Sequence, residues 1–365
     1  MEDLANEKKR KHSDSDEVEK KHLNWSFIQA CCLSADGQAE YYYTAERGFP
    51  FEDTELPHYY LHKGDTHAVF TEWKSTKPPV TLVAGAWCRP LFCGGWNHST
   101  DADERVFNLQ SHNLFVDLRI PKSLQQVLTS KTNAQSLQDL TPHQLRLYAR
   151  QHVFAGFSLA SDERGRPLCT RHHCIDWNYV GGKGRTRPNK WRIQLHVGPD
   201  RWKEFSFATD DMGQFYYFER WQRLPHGNAD ERRVALRKSS TEKRDGVFVL
   251  IGDHFNYVLN RELTGDEKDY GDKGLIGVVD AAVEANDLDT ARSWLSIEAG
   301  HGTISSGWRL DCAIPPWREG VNFLSNRGSA QVQGDASILW GSESWDVFDN
   351  SFETLEQLAS FLTKP

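Results

Sequence analysis

Short apolar segments recur from Trp25 almost to the end of this 365-residue chain, each rich in Val, Ile, Phe, Tyr or Trp and each broken by Gly, Asp, Asn or Pro. That rhythm constrains the fold more than any other feature. β-Branched and aromatic side chains fit a pleated, half-buried surface, and short strands separated by turn signals point to a barrel or sandwich. The composition agrees, with 13 Trp, 19 Phe and 11 Tyr against 2 Met. Strands are expected near 26–33, 38–44, 67–74, 80–88, 105–110, 113–120, 155–161, 168–179, 190–197, 202–208, 214–222, 232–238, 246–252, 255–262, 293–299, 306–313, 321–325, 330–333 and 336–341.

Helices are the exception. Thr141 supplies an N-cap, Pro142 a first helical residue and Gln144 the third position of a capping box. Leu145, Tyr148, Ala149 and His152 follow at helical spacing, with Gly156 as a stop. A second helix is expected near 273–286 and a third from Phe352 to Leu362.

Residues 1–22 are nearly all polar and of mixed charge, and the tail to residue 24 is expected to be disordered because such a stretch buries too little apolar area to offset its ordering entropy. Within it, Lys8-Lys9-Arg10-Lys11 is a basic cluster of the nuclear-import kind, the alternative being a plain solvated tail. The stretch has no hydrophobic signal segment, and no apolar run in the chain approaches the ~18 residues that span a bilayer. A cytoplasmic or nuclear location is therefore expected. The net charge of −8 disfavours nucleic acid and anionic membrane as partners of the whole chain. Seven cysteines, an odd number, suggest reduced thiols.

The motifs exclude several chemistries. Gly156-Phe157-Ser158-Leu159-Ala160 breaks the nucleophile-elbow pattern, Gly181-Gly182-Lys183-Gly184 lacks phosphate-loop spacing, and no GxGxxG follows a strand. No cofactor is expected. Cys169, His172, His173 and Cys174 are zinc-type ligands, but an extended C-x4-C segment sends its two thiols to opposite faces, as does the Cys88/Cys93 pair, so no metal is expected.

The remaining signal is charge inside apolar strands. In the run Asn113 to Pro121, Leu114, Val116, Leu118 and Ile120 share one face, while Phe115, Asp117 and Arg119 share the other. Turned inward, Asp117 and Arg119 would form a buried polar pair suited to anchoring a carboxylate, ketone or hydroxyl. Turned outward, they would be a surface ion pair of little worth. His172 and Asp176, four apart, share a face, as do Tyr217, Glu219 and Trp221. Asp253 and His254 interrupt the run from Val247 to Phe255, and Arg318 follows Pro316-Trp317. Candidate catalytic groups are Asp117, Arg119, Asp176, Glu219 and Asp253. Candidate ligand contacts are Gln110, Phe115, Arg119, His172, Tyr217, Trp221, His254 and Arg318.

Gly85-Ala86-Trp87, opening a strand, resembles the G-x-W signature of lipocalins, members of the calycin group with the fatty-acid-binding proteins; Gly94-Gly95-Trp96 is a second instance. The stretch from Phe215 to Arg261 resembles a little-characterised fungal calycin-like family. The shared features are Phe218, Glu219 and Trp221, then the basic strand Val234 to Lys238, then Asp245-Gly246 leading into the apolar run to Gly252. The likeness implies a closed antiparallel barrel around a small ligand, with the Thr141–Gly156 helix as a lid. The chain is about twice a lipocalin's length, the second lipocalin motif has no match here, and the resemblance carries over no catalytic residue.

The expected fold class is thus mainly β, an antiparallel calycin-like barrel with a lid-like helix and a few peripheral helices. The expected division is a tail at 1–24, a β extension at 25–64, the barrel at 65–350 and a C-terminal helix at 351–365, with two tandem smaller barrels as the alternative. The expected function is an intracellular barrel that binds a small hydrophobic or carboxylated metabolite. Whether it also acts on that metabolite as a cofactor-free isomerase, hydratase or cyclase is open. The alternative is a nuclear or cytosolic protein-interaction module whose exposed Trp and Tyr residues bind a partner.

Overall fold

The computed structural model describes residues 80–94, 98–101, 103–130, 134–163, 166–178, 189–195, 200–206, 217–238, 244–263, 265–270 and 274–363. The tail with Lys8-Lys9-Arg10-Lys11, the 25–64 segment and the strands expected at 26–33, 38–44 and 67–74 lie outside them.

The first nine strands are β1 (Gly85–Gly94), β2 (His98–Thr100), β3 (Glu104–Gln110), β4 (Leu114–Pro121), β5 (His152–Glu163), β6 (Arg166–Asp176), β7 (Asn189–Gln194), β8 (Arg201–Ser206) and β9 (Tyr217–Arg223). All pairings are antiparallel. β1 and β3 to β9 pair in chain order, and β9 returns to pair with β1, so eight strands close a barrel with β2 appended to β1. Local chemistry sets the connections. Ser111, for example, turns β3 into β4 by accepting from the Leu114 N–H (2.9 Å) and donating to its carbonyl (3.0 Å). The fold is mainly β with a closed antiparallel barrel, as the alternating strand pattern suggested.

The remaining strands form a second sheet. These are β10 (Arg233–Lys238), β11 (Gly246–Ile251), β12 (His254–Leu259), β13 (Glu298–Thr303), β14 (Arg309–Ala313), β15 (Ala330–Gly334), β16 (Ser337–Trp340) and β17 (Glu343–Asn350). Their order is β14-β13-β12-β11-β10-β17-β16-β15. The strands expected to close one barrel over 65–350 therefore divide between two sheets. The cause is nonlocal: the pairings of β1 with β9 and of β10 with β17 each bring first and last strands together.

One core joins the sheets. Leu114, Val116, Leu118 and Ile120 face outward from β4 and pack with Val247, Val249 and Ile251 of β11. Asn256 stitches the junction by donating to the carbonyls of Phe107 (3.0 Å) and Val116 (3.1 Å), and its own carbonyl oxygen meets His301 Nδ1 at 2.8 Å.

The helices are α1 (Lys122–Ser130), α2 (Pro142–Tyr148), α3 (Gly274–Glu284), α4 (Leu288–Trp294) and α5 (Leu355–Thr363). α2 starts on the expected capping box, with Thr141 Oγ1 accepting from Gln144 N and Gln144 Oε1 accepting from Thr141 N. It ends at Tyr148, and Gly156 lies within β5. Its buried Leu145 and Tyr148 join Leu275, Val278 and Val279 of α3 in the core outside the barrel. The apolar stripe expected to cover a barrel mouth is spent on that helix pair instead. The strand expected at 293–299 is partly α4, which Asp287 caps by accepting from Thr290 N (3.3 Å), and the strand itself begins at Glu298.

Candidate functional site

Alternation along the strands decides which side chains enter the barrel. On β4 the apolar set Leu114, Val116, Leu118, Ile120 faces the second sheet, so Phe115, Asp117 and Arg119 turn inward. Asp117 is fully buried. Arg119 holds it bidentately, Nε to Oδ1 at 2.8 Å and Nη2 to Oδ2 at 3.0 Å, and Arg171 Nη1 stands 3.5 Å from the same carboxylate. Glu219 receives Arg89 at 2.7 Å and Arg119 at 3.3 Å, while Arg89 also pairs with Glu104. Gln110 accepts from Ser158 Oγ (2.6 Å) and from Arg171 Nη2 (3.4 Å), which also donates to Asn108 (3.1 Å). The Arg171 guanidinium lies 4.2 Å from the Phe115 ring centre and 5.3 Å from that of Trp191.

Beside this charged belt lies an indole ladder from three successive strands. Trp191 stacks on Trp202 at 5.3 Å and Trp202 on Trp221 at 5.5 Å, with Trp87 edge-on to Trp202 at 5.9 Å. Val80 and Val83 pack against the ladder, and Trp87 Nε1 donates to the Val83 carbonyl (2.9 Å). Gly85 is needed where β1 meets β9. A Cβ there would stand 2.7 Å from Arg223 Nη1 and 2.9 Å from the Trp87 ring, across which the Arg223 guanidinium lies at 4.4 Å.

The electrostatics follow from burial and neighbours. Burial alone would raise the Asp117 carboxyl, but the charges of Arg119, Arg171 and Arg89 and the Arg119 hydrogen bond outweigh it and hold the group below its usual value. Glu204 stands directly opposite Glu219 in the β8–β9 register and accepts from Tyr217 Oη at 2.7 Å. Burial first, and the Glu219 charge second, push its carboxyl up to about 8. It is therefore largely protonated at neutral pH, and the two like carboxyls coexist by holding a proton.

A third group lies on β5 and β6. His173 Nδ1 meets Asp176 Oδ2 at 2.5 Å, and its ring stacks on Phe154 at 4.6 Å. The Arg119 guanidinium lies 5.0 Å from the same Phe154 ring. Burial pushes His152, edge-on to Phe154 at 5.5 Å, down to about 4.

Eight of the residues singled out from sequence thus converge in the barrel: Gln110, Phe115, Asp117, Arg119, Asp176, Tyr217, Glu219 and Trp221. Four do not. His172 pairs in register with Phe157 and shares its outward face, because a bulge at Ala155/Gly156 makes Cys174 an extra residue and turns His173 inward. Asp253 is in the turn from β11 to β12, accepting from Ser305 N (2.9 Å) and Ser305 Oγ (2.5 Å). His254 donates to the Pro225 carbonyl (2.7 Å) and stacks on His301. Arg318 ends a 3-10 turn, Pro316–Arg318, and its charge acts on Tyr257 of the second sheet. Sequence reasoning missed Arg89, Asn108, Arg171, His173, Trp191, Trp202 and Glu204. Parity was the usable signal: Trp202 and Glu204 are two apart, as are Cys169 and Arg171. Among the described residues no group of three His, Cys, Asp or Glu is arranged to hold a metal ion.

No protein-family model matches the chain, and no curated protein matches it. A solved structure of an uncharacterized protein from Saccharomyces cerevisiae aligns at 12% identity with a TM-score of 0.42, over 73% of this chain and 99% of that one. At those values it adds nothing to the reading of the site.

Proposed function

We propose that the closed barrel binds a small carboxylated molecule whose apolar body lies along the indole ladder. One observation carries this reading. Among the described residues, five buried donors of the interior, Nε1 of Trp191, Trp202 and Trp221, Nδ2 of Asn108 and Nε of Arg171, have no protein partner, and these outnumber unpartnered acceptors such as Glu219 Oε2. A buried donor left unsatisfied costs about 1–3 kcal/mol, so native interiors pair such groups. A carboxylate brings two oxygens and no donors, which complements the excess. An eight-stranded barrel has room for one small ligand at most. Asp117, Glu219 and Glu104 already neutralise the three interior arginines, so the carboxylate is recognised by these N–H groups more than by net charge.

The calycin likeness belongs to the same proposal. The up-and-down strand order supports it, as does the placing of Gly85 and Trp87 at the closing seam. Location in a reducing compartment is supported by the free thiols of Cys88, Cys169, Cys174 and Cys312. The interaction reading relied on exposed indoles, yet Trp87, Trp177, Trp191, Trp202, Trp221, Trp294, Trp308, Trp340 and Trp345 are buried.

A catalytic extension is favoured by the His173–Asp176 contact beside Arg119: an imidazole oriented by a carboxylate is a general base. In that extension His173 takes a proton from a carbon of the bound acid and returns it elsewhere, which isomerises the molecule without a cofactor.

Native mass spectrometry of the protein purified from its source tests the binding proposal. The expected result is one bound small acid per chain, retained less well by W202F and R171M. Protein that carries no small molecule, and acquires none from an extract of its source, overturns it. Deuterium incorporation from solvent into the recovered ligand, lost in H173Q, tests the extension.

A further inference from the structure

The second sheet repeats the plan of the barrel. Strands β10 to β17 follow one another around the sheet as β1 and β3 to β9 do, and the first and last strands pair in both. The difference is a seam, for β14 and β15 do not pair. Segment 320–323 lies along β14 there, with Leu310 N donating to the Val321 carbonyl (3.1 Å) and Phe323 N to that of Trp308 (2.8 Å). On the other side α5 buries Leu358, Ala359 and Leu362 in the sheet's core and binds β15 through Thr363 Oγ1, which accepts from Ala330 N at 2.9 Å.

Equivalent strands carry equivalent chemistry. The last two barrel strands bear Trp202 and Trp221; the last two strands of the second sheet bear Trp340 and Trp345, with ring centres 6.0 Å apart. In both pairs the indole N–H groups are buried and unpartnered. The barrel sets Arg171 over Phe115 of β4. The second sheet sets Arg327 over Tyr257 of β12, the equivalent strand. The Arg327 guanidinium lies 4.9 Å from the Phe323 ring centre, 5.7 Å from Tyr257, 5.9 Å from Trp340 and 6.0 Å from Trp345, so these groups converge.

We infer that the core of the second sheet holds a second small-molecule site, whose ligand has an aromatic or apolar body and a single acidic group seated at Arg327 beside the Trp340 and Trp345 indoles. The acid partner that Arg327 already has is a poor one. Glu343 stands 3.6 Å away, beyond hydrogen-bond length, and is shared with Lys238. Around the box pack the apolar side chains of Leu236, Phe248, Leu250 and Phe255, with the Lys238–Glu343 pair at its edge. That contrast with the charged barrel interior selects a more hydrophobic molecule with one charge. Burial, with the Glu298 charge next, pushes the Tyr257 hydroxyl up to about 12, so it stays protonated beside Arg318 and Arg327. This inference is independent of what the barrel binds.

The test uses the full chain, labelled with nitrogen-15, and 1-anilinonaphthalene-8-sulfonate as the probe, an aromatic body with one anionic group. The indole N–H cross-peaks are assigned with W340F, W345F and the corresponding barrel variants. The Trp340 and Trp345 cross-peaks are expected to move and saturate. In R327M the affinity read from them falls about tenfold or more, as loss of a charge-assisted contact requires, while the Trp191, Trp202 and Trp221 cross-peaks behave as in the parent. R327K, which keeps the charge but not the planar fork, holds the fold and gives an intermediate loss. Movement of the barrel cross-peaks alone overturns the second site and leaves the first. Unchanged affinity in R327M and R327K overturns it as well, because the dye then partitions without using the arginine.

Discussion

Replacing Asp117 by alanine would leave the buried Arg171 and the half-buried Arg119 without their shared carboxylate. Asp117 has no exposed surface, and Arg119 grips both of its oxygens while Arg171 faces it at 3.5 Å. Removing one partner of a buried pair costs about 3–5 kcal/mol, because the other charge stays buried and uncompensated. At roughly 2–4 °C per kcal/mol for a chain of this size class, D117A should melt about 6–20 °C lower than the parent. D117N keeps an acceptor for Arg119 and should lose less. The pH dependence has a definite sign. Asp117 is held below its ordinary value, so its stabilisation is complete above the unfolded carboxylate pKa of about 3.9 and is lost as pH falls through the lower folded value. Melting curves of D117N and the parent should therefore converge in acid and separate by pH 6. A loss for D117A below about 1 kcal/mol, the size of a surface ion pair, would refute the reasoning. It would mean that the belt is solvated.

Three further outcomes follow from the same geometry. Glu204 is raised from 4.5 to about 8, so its contribution is present in full below 4.5 and declines as pH climbs through 8; E204Q should flatten the fall in melting temperature between pH 5 and 9, and parallel curves would contradict the assignment. G85A forces a Cβ against Trp87 and Arg223 and should cost about 1–3 kcal/mol in urea unfolding, the range for overpacking. Burial pushes the Cys169 and Cys312 thiols up to about 12 and Cys174 up to about 11, so a disulfide-exchange reagent at pH 8 should label these three only after urea is added.

Much of the barrel interior was legible because alternation is local. The run Asn113 to Pro121 separates its two faces by parity, and Tyr217, Glu219 and Trp221 did the same on β9. Parity fails at a bulge, and the bulge facing His173 is not written in a pattern. It depends on Gly156, where a Cβ would come within 1.9 Å of the His172 carbonyl oxygen. That one residue decides whether His172 or His173 meets Asp176. Leu295 and Ile297 alternate like a strand, yet Asp287 caps a helix that runs through the preceding Trp294. Strand β17 was missed because Asp346 and Asp349 look like turn residues, although Trp345 and Val347 carry the inward face. The division into two sheets rests on pairings more than a hundred residues apart, such as Cys93 with Phe218 and Val234 with Asn350, which no local pattern encodes.

The central claim is that the barrel interior receives a small acid. The most direct measurement is a crystal structure of protein purified from its source, at a resolution that separates waters from a continuous ligand. The account predicts continuous non-protein density along Trp191, Trp202 and Trp221, ending in two oxygens within hydrogen-bond distance of Asn108 Nδ2 and Arg171 Nε. Separate waters at those donors, with no connected density between them, would contradict it.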